Sequence, residues 1–316
     1  MNIFIDTNIY LSFYHYTNDD LEEIKKLIVL IEKKEITLWL TDQVKDEFKR
    51  NRENKISDAL KKLKEQKINP QFPQICKDYE EYNEIRDHQK MYSQKLSILT
   101  DKLTDDIIGH SLKADEKIKE LFEKANIIET TKEIVEKARM RMDVRNPPGK
   151  NHSLGDAINW EGLLESVENN KRIYIIADDK DYFSELDKYK LKDFLANEWR
   201  EKKSEGAIIY RRLSQFFNEH YSDIKLASEL EKDLAIRNLV NSKNFHTTHK
   251  AINVLNKYTE FTASQIIELS QACINNEQVR WIISDKDVKK FYRALLKNHS
   301  KSIEKNQKEK IEKILS

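Results

Sequence analysis

Four acidic positions are conspicuous for what surrounds them. Asp6 directly follows the apolar run Asn2-Ile3-Phe4-Ile5, and Asp178-Asp179-Lys180-Asp181 follows the run Arg172-Ile173-Tyr174-Ile175-Ile176-Ala177. Glu47 comes three residues after Val44 and just before Phe48, on the apolar stripe of a helical pattern. A carboxylate there is costly to bury unless it pairs or meets a cation. Asp156 ends the stretch Ser153-Leu154-Gly155-Asp156 and precedes Trp160 by one turn. Each position also has an ordinary structural explanation. An acid after a strand is often a turn or cap residue, Glu47 can sit on a helix rim, and Ser153-x-x-Asp156 has the form of a capping box. As a set, the four suggest more. Carboxylates brought together repel and raise one another's pKa, and a divalent cation relieves the repulsion. Oxygen donors without Cys or His suit Mg²⁺ or Mn²⁺ better than zinc. Carboxylates holding such ions are a device for phosphodiester hydrolysis.

The elements that must position these residues follow an α/β pattern. Asn2–Ile5 is predicted to be a buried strand. Residues Thr17 to Asp20 offer N-caps for a helix with Leu21, Ile24, Leu27, Ile28 and Ile31 on one face. Ile36–Leu40 is predicted as a second strand, with Thr41 or Asp42 capping the helix that carries Glu47. This β-α-β-α order implies a parallel sheet. Residues 52–145 are charge-dense with helical stripes and are expected to form a helical insertion. After the rigid loop Asn146-Pro147-Pro148-Gly149-Lys150, a helix opens near Asp156. Residues 172–177 then form a continuous apolar run, as expected of a central parallel strand. Ala207–Tyr210 is a further strand candidate. From about residue 213 the pattern is helical throughout, so residues 1–215 and 216–316 are expected to be separate domains, the second all-helical.

Composition narrows the class. The 316 residues include only 5 Gly and 4 Pro, too few turn formers for an all-β architecture. Charged residues are 35% and hydrophobics 39% of the chain, as in helices with wide solvated faces. The net charge of +1 excludes a uniformly basic coat but permits a local basic groove. Mean hydropathy is −0.77, no run is long and apolar enough for a membrane span, and the opening residues do not read as a signal peptide. Cys76 and Cys273 are far apart and form no disulfide or metal framework. A reduced, cytoplasmic setting is expected.

The ordered acids, set in these elements, resemble the PIN-domain nucleases over roughly residues 1–215. Asp6-Thr7-Asn8 is similar to that family's opening motif, Glu47 to its helical second acid, and Asp156 in Gly155-Asp156-Ala157-Ile158 to its third. Asp179 corresponds to the strand-end fourth acid, usually preceded two residues earlier by a hydroxyl residue; here that position is Ala177. Asp178, Asp179 and Asp181 all remain candidates for this place. The resemblance implies a three-layer α/β/α sandwich with a parallel sheet and a Mg²⁺- or Mn²⁺-dependent endonuclease acting mostly on RNA. It makes Asp6, Glu47, Asp156 and Asp179 catalytic and gives metal ligation to Asp6, Asp156, Asp179 and Asp181. Thr7 and Asn8 are expected to support Asp6 by hydrogen bonding.

Nucleic acid, RNA in preference to DNA, is the expected partner, with a protein partner for the helical regions as a further expectation. Arg141, Arg145 and Lys150, with Arg139 close by, are candidates for a phosphate groove. Lys45, Lys49, Arg50 and Arg52 are a second basic group. The biological settings considered are RNA processing, a growth-arresting toxin or phage defence. Two rival readings remain: an inactive PIN-like scaffold, and a haloacid-dehalogenase-like phosphatase. The phosphatase requires an acid two residues after its nucleophile, where this chain has Asn8. The eight histidines form no HExxH, and no GxSxG, Walker A or GxGxxG motif is present.

Overall fold

The computed structural model describes residues 1–15, 21–66, 71–149, 153–222, 224, 226–299 and 303–315. The capping candidates at 17–20 and Lys150 lie outside them. The chain divides into two compact units, Met1–Tyr221 and Ser222–Ser316.

The first unit runs β1 (Asn2–Ile5), α1 (Thr7–Ser12), α2 (Leu21–Glu32), β2 (Thr37–Thr41), α3 (Asp42–Glu65), a 3-10 turn at Gln74–Cys76, α4 (Glu80–Ile108), α5 (Lys113–Glu123) and β3 (Asn126–Ile128). It continues with α6 (Lys132–Asp143), α7 (Leu154–Ser166), β4 (Ile173–Ile176), α8 (Asp193–Lys203), β5 (Ala207–Tyr210) and α9 (Leu213–His220). The strands form one sheet in the order β3-β2-β1-β4-β5, and every pairing is parallel. Ile3, Phe4 and Ile5 of β1 and all of β4 are buried, as continuous apolar strands require when helices cover both faces. α2 packs with α5 and α9, and α7 packs with α3, α6 and α8. The architecture is the parallel α/β sandwich expected from the sequence, with added helices.

The strand order decides where a ligand can sit. The chain builds outward from β1 to β2 and β3, then returns to place β4 on the other side of β1. The crevice at the carboxyl ends of β1 and β4 is therefore the topological switch point, the usual ligand position in such sheets. Ile5 pairs with Ile176, and the Asp6 amide donates to the Ile176 carbonyl at 2.9 Å. Asp6 and the turn after Ala177 thus leave the sheet side by side.

The stretch 52–145 departs from the expected purely helical insertion. Asn126–Ile128 is a sheet strand paired with Trp39–Thr41 of β2. It has three residues, only Ile128 of them buried, so it carries too short an apolar run to announce itself. α5 and α6 join the helical layers. Only the outer part of α3 and the whole of α4 stand apart from the sandwich: α4 has 29 residues and none is buried. The first unit also extends past residue 215. α9 belongs to it, with Phe216 stacked edge-on to Tyr174 and Tyr210 at 5.5 and 5.8 Å.

The second unit comprises α10 (Ala227–Val240), α11 (Phe245–Leu255), α12 (Ala263–Asn275), α13 (Glu277–Trp281), α14 (Lys286–His299) and α15 (Lys305–Leu315). Its core gathers Leu239, Ile252, Leu255, Leu269, Val288 and Tyr292. Thr262 and Gln265 close a capping box on α12, and the Asn276 side-chain amide donates to the Leu239, Val240 and Ser242 carbonyls.

Candidate active site at the carboxyl edge of the sheet

Asp6 ends β1 and N-caps α1, its Oδ2 accepting from the Asn8 backbone amide at 3.3 Å. Its side chain lies in the interior, with the residue 3% exposed. Burial, followed by the charge of Asp156, pushes its pKa up to about 7, and Glu47 and Asp179 add to the rise. Asp156 stands in the first turn of α7. Burial, with the charges of Asp179, Glu47 and Asp181, raises its pKa to about 6, although a hydrogen bond from Ser153 opposes the shift. The capping box expected at Ser153 does not form. Its hydroxyl makes no bond to the helix backbone and instead donates to Asp156 Oδ2 at 2.6 Å.

Glu47 is brought in by α3. Thr41 caps that helix, accepting from the Val44 amide at 3.1 Å. Phe48 anchors it, with ring centroids 6.4 Å from Tyr10 of α1 and 5.6 Å from Phe122 of α5. At Gly155, beside Asp156, the first turn of α7 meets that of α3: a Cβ there would come to 2.6 Å from the Gln43 side-chain amide, which would have to shift. Glu47 is half-buried, and Thr7 Oγ1 donates to its Oε2 at 3.2 Å. The expected support of Asp6 by Asn8 is present, and the expected role of Thr7 is corrected. Asn8 serves Asp6 through its backbone, and the Thr7 hydroxyl serves Glu47.

The strand-end acids separate. Asp178 is exposed and paired with Arg211, Nη1 to Oδ1 at 2.7 Å. Asp179 turns the other way, its Oδ1 accepting from the Asp181 amide at 2.9 Å. Asp6, Glu47, Asp156 and Asp179 therefore lie in one electrostatic neighbourhood. Tyr182, wholly buried, registers all four, and its phenol is held well above the ordinary range by burial and by their charges. Sequence patterning gave no sign of Tyr182 as more than a core residue.

The donor set fits a hard divalent cation. It is all oxygen, it includes a buried carboxylate, and among the described residues no Lys or Arg forms an ion pair with Asp6, Glu47, Asp156 or Asp179. The Tyr182 hydroxyl also meets no hydrogen-bond partner among the described residues. The four side chains share a field rather than a finished shell: among the described residues, no three His, Cys, Asp or Glu close tightly enough to ligate one ion as they stand.

The basic candidates fare differently. Arg141 is not a phosphate contact. It is buried, its guanidinium donating to Glu161, Glu198 and the Pro147 carbonyl. Two carboxylates from α7 and α8 outcompete solvent for it, and Trp160 Nε1 donates to the other oxygen of Glu198 at 2.7 Å. Arg145 is exposed, in a left-handed conformation just after α6. Arg52 is committed to Asp115, whereas Lys49 and Arg50 are exposed along α3.

No helix among the described residues is long and apolar enough to cross a membrane. No curated protein and no solved structure matches the chain. A family model described as a PIN domain matches residues 3–182. That span opens in β1 and takes in Asp6, Glu47, Asp156, Asp179 and Asp181, the acids that the sheet's switch point and its flanking helices gather. With more than half its length so matched, the chain belongs to the PIN-domain family, a family of nucleases.

Proposed function

We propose that the chain is a metal-dependent endonuclease that hydrolyses phosphodiester bonds in single-stranded or structured RNA, with Mg²⁺ or Mn²⁺ held by Asp6, Asp156 and Asp179 and with Asp181 at the margin. The observation that carries this reading is Asp6: a buried carboxylate pushed up to about 7, without a basic partner among the described residues, sharing its field with three further acids at the switch point. When bound, such an ion lowers the pKa of an attacking water and offsets the charge that develops on the phosphate. The chain's own contributions are positional. Ser153 orients Asp156, Thr7 orients Glu47, and the Asn8 amide orients Asp6. Glu47, half-buried and held by the hydrogen bond from Thr7, would accept a proton from water at the site's margin.

The test is cleavage of labelled single-stranded RNA and DNA of the same sequence, with Mn²⁺, with Mg²⁺ and in EDTA. Cleavage of RNA with either ion, lost in EDTA and in Asp6→Asn, is the expected result. Equal cutting in EDTA would reject the metal mechanism, and equal cutting of DNA would reject the RNA preference.

A further inference from the structure

Arg211 is the first residue after β5, at the same sheet edge as the acids. Tyr210 pairs with Ile176, and the Ala177 amide donates to the Tyr210 carbonyl at 3.0 Å, which brings Arg211 level with the chain leaving β4. All three nitrogens of its guanidinium are used. Nη1 contacts Asp178 Oδ1 at 2.7 Å, while Nε and Nη2 donate to the Lys188 carbonyl at 3.2 and 3.1 Å. The planar group also stacks 3.9 Å from the centroid of the Phe183 ring. Its own backbone is held in turn, the Arg211 amide donating to Gln215 Oε1 at 3.1 Å.

These contacts grip one segment at three points: Asp178 at its start, Phe183 in its middle and Lys188 near its end. The segment is closed by a bridge between Phe183 and Leu191 and by the Lys192 amide donating to the Tyr182 carbonyl at 2.8 Å. Asp179, Asp181 and Tyr182 all lie inside it. Beyond the end of β4 the two neighbouring acids take different partners: Asp178 pairs with Arg211, whereas Asp179 accepts from the Asp181 amide within the gripped segment, and the charge of Asp179 acts on Asp6 and Asp156.

We propose that Arg211 is a positioning residue that withholds Asp178 from the carboxylate cluster and sets Asp179 as the cluster's strand-end member. What the cluster binds rests on the nuclease reading; the grip on the segment does not. A lysine in place of Arg211 can pair with Asp178 but lacks the planar fork that also reaches the Lys188 carbonyl and stacks on Phe183.

The experiment has a metal-free arm and a metal arm, both on the full chain. In EDTA, hydrogen–deuterium exchange of amides 181–190 should accelerate in Arg211→Ala and less so in Arg211→Lys. In Mn²⁺ titrations, Arg211→Ala should bind about tenfold more weakly, as loss of an orienting partner does at metal sites, with Arg211→Lys between it and wild type. Asp178→Asn should bind Mn²⁺ as wild type does, and Asp179→Asn should not. Wild-type exchange and wild-type Mn²⁺ affinity in Arg211→Ala would overturn the proposal. So would a loss of Mn²⁺ binding in Asp178→Asn matching that in Asp179→Asn, a comparison that still decides if Arg211→Ala fails to fold. A wild-type chain that neither binds Mn²⁺ nor cuts RNA, with exchange still accelerated in Arg211→Ala, would overturn the nuclease reading and leave the grip on the segment supported.

Discussion

Asp6 shows how one side chain can be both the least comfortable and the most useful in a fold. Its backbone completes the ladder to β4 and its carboxylate caps α1, so its position is fixed by the sheet rather than by anything it binds. Burial and like charge then leave the carboxylate poorly solvated. The consequence for stability has a definite sign. The folded-state pKa of about 7 lies above the ordinary 3.8, so between those values the folded chain holds a proton that the unfolded chain has released. Stability contributed by the protonated form is complete below about pH 4 and is lost as pH rises through about 7. Asp6→Asn removes this loss. In EDTA its Tm should exceed that of the wild type by a margin that widens from pH 4 to pH 7, while cleavage is abolished. Melting curves at matched pH check this, and a margin that does not change with pH would show that Asp6 is not the strained group. Asp156, raised to about 6, should give Asp156→Asn a similar but smaller margin, reduced because the Ser153 hydroxyl then donates to a neutral amide oxygen instead of a carboxylate.

At the scale of elements, α3 does two jobs along its length. Its first turns are clamped by the Thr41 cap and by Phe48, and these turns carry Glu47. Beyond Ile56, its last buried residue, it runs out with α4 into solvent. A helix without a buried face relies on its own backbone bonds, and those open at low cost. Amide exchange in α4 should therefore be far faster than in α7, whose Ala157, Trp160 and Leu163 are buried. Equal protection would mean that a surface of α4 is covered in solution. α7 is secured from its other side by Arg141, which draws Glu161 of α7 and Glu198 of α8 to α6. Arg141→Ala leaves two poorly solvated carboxylates without their partner and should cost about 3–5 kcal/mol. Denaturant unfolding measures that loss. If Arg141 met phosphate instead, the variant would keep its stability and bind RNA with a shallower salt dependence.

At the scale of the whole molecule, the two units differ in charge as well as in fold. Residues 222–316 hold 17 Lys and Arg against 12 Asp and Glu, so the rest of the chain is acidic overall. Removing 222–316 should leave a folded fragment that still melts at higher temperature with Mn²⁺, and it should weaken RNA binding most at low salt, where the lost cations count most. The point of division matters. Ending at residue 221 retains α9, whereas ending at 215 removes Phe216 from its place against Tyr174 and Tyr210 and exposes that face. The 1–215 fragment should melt well below the 1–221 fragment. Identical melting would show that α9 adds nothing to the first core.

What the sequence by itself determined is local. An apolar run of four to six residues stopped by an acid makes a buried strand with a carboxylate at its end, and the decision is made within that short stretch at Asp6 and again after Ala177. The order of elements then implied a parallel sheet, and the sheet's switch point follows from its strand order. Tertiary structure decided what depends on partners far along the chain. Arg141 reads as an exposed helical cation until Glu161 and Glu198, 20 and 57 residues away, enclose it. Asp178 and Asp179 are equivalent in type and adjacent in sequence, and Arg211, 33 residues beyond Asp178, distinguishes them. β3 is a strand because β2 offers it an edge, with an apolar run of its own too short to predict one. In each case the side chain or segment has several local outcomes of similar free energy, and the contact that selects one is made only when the chain has folded back on itself.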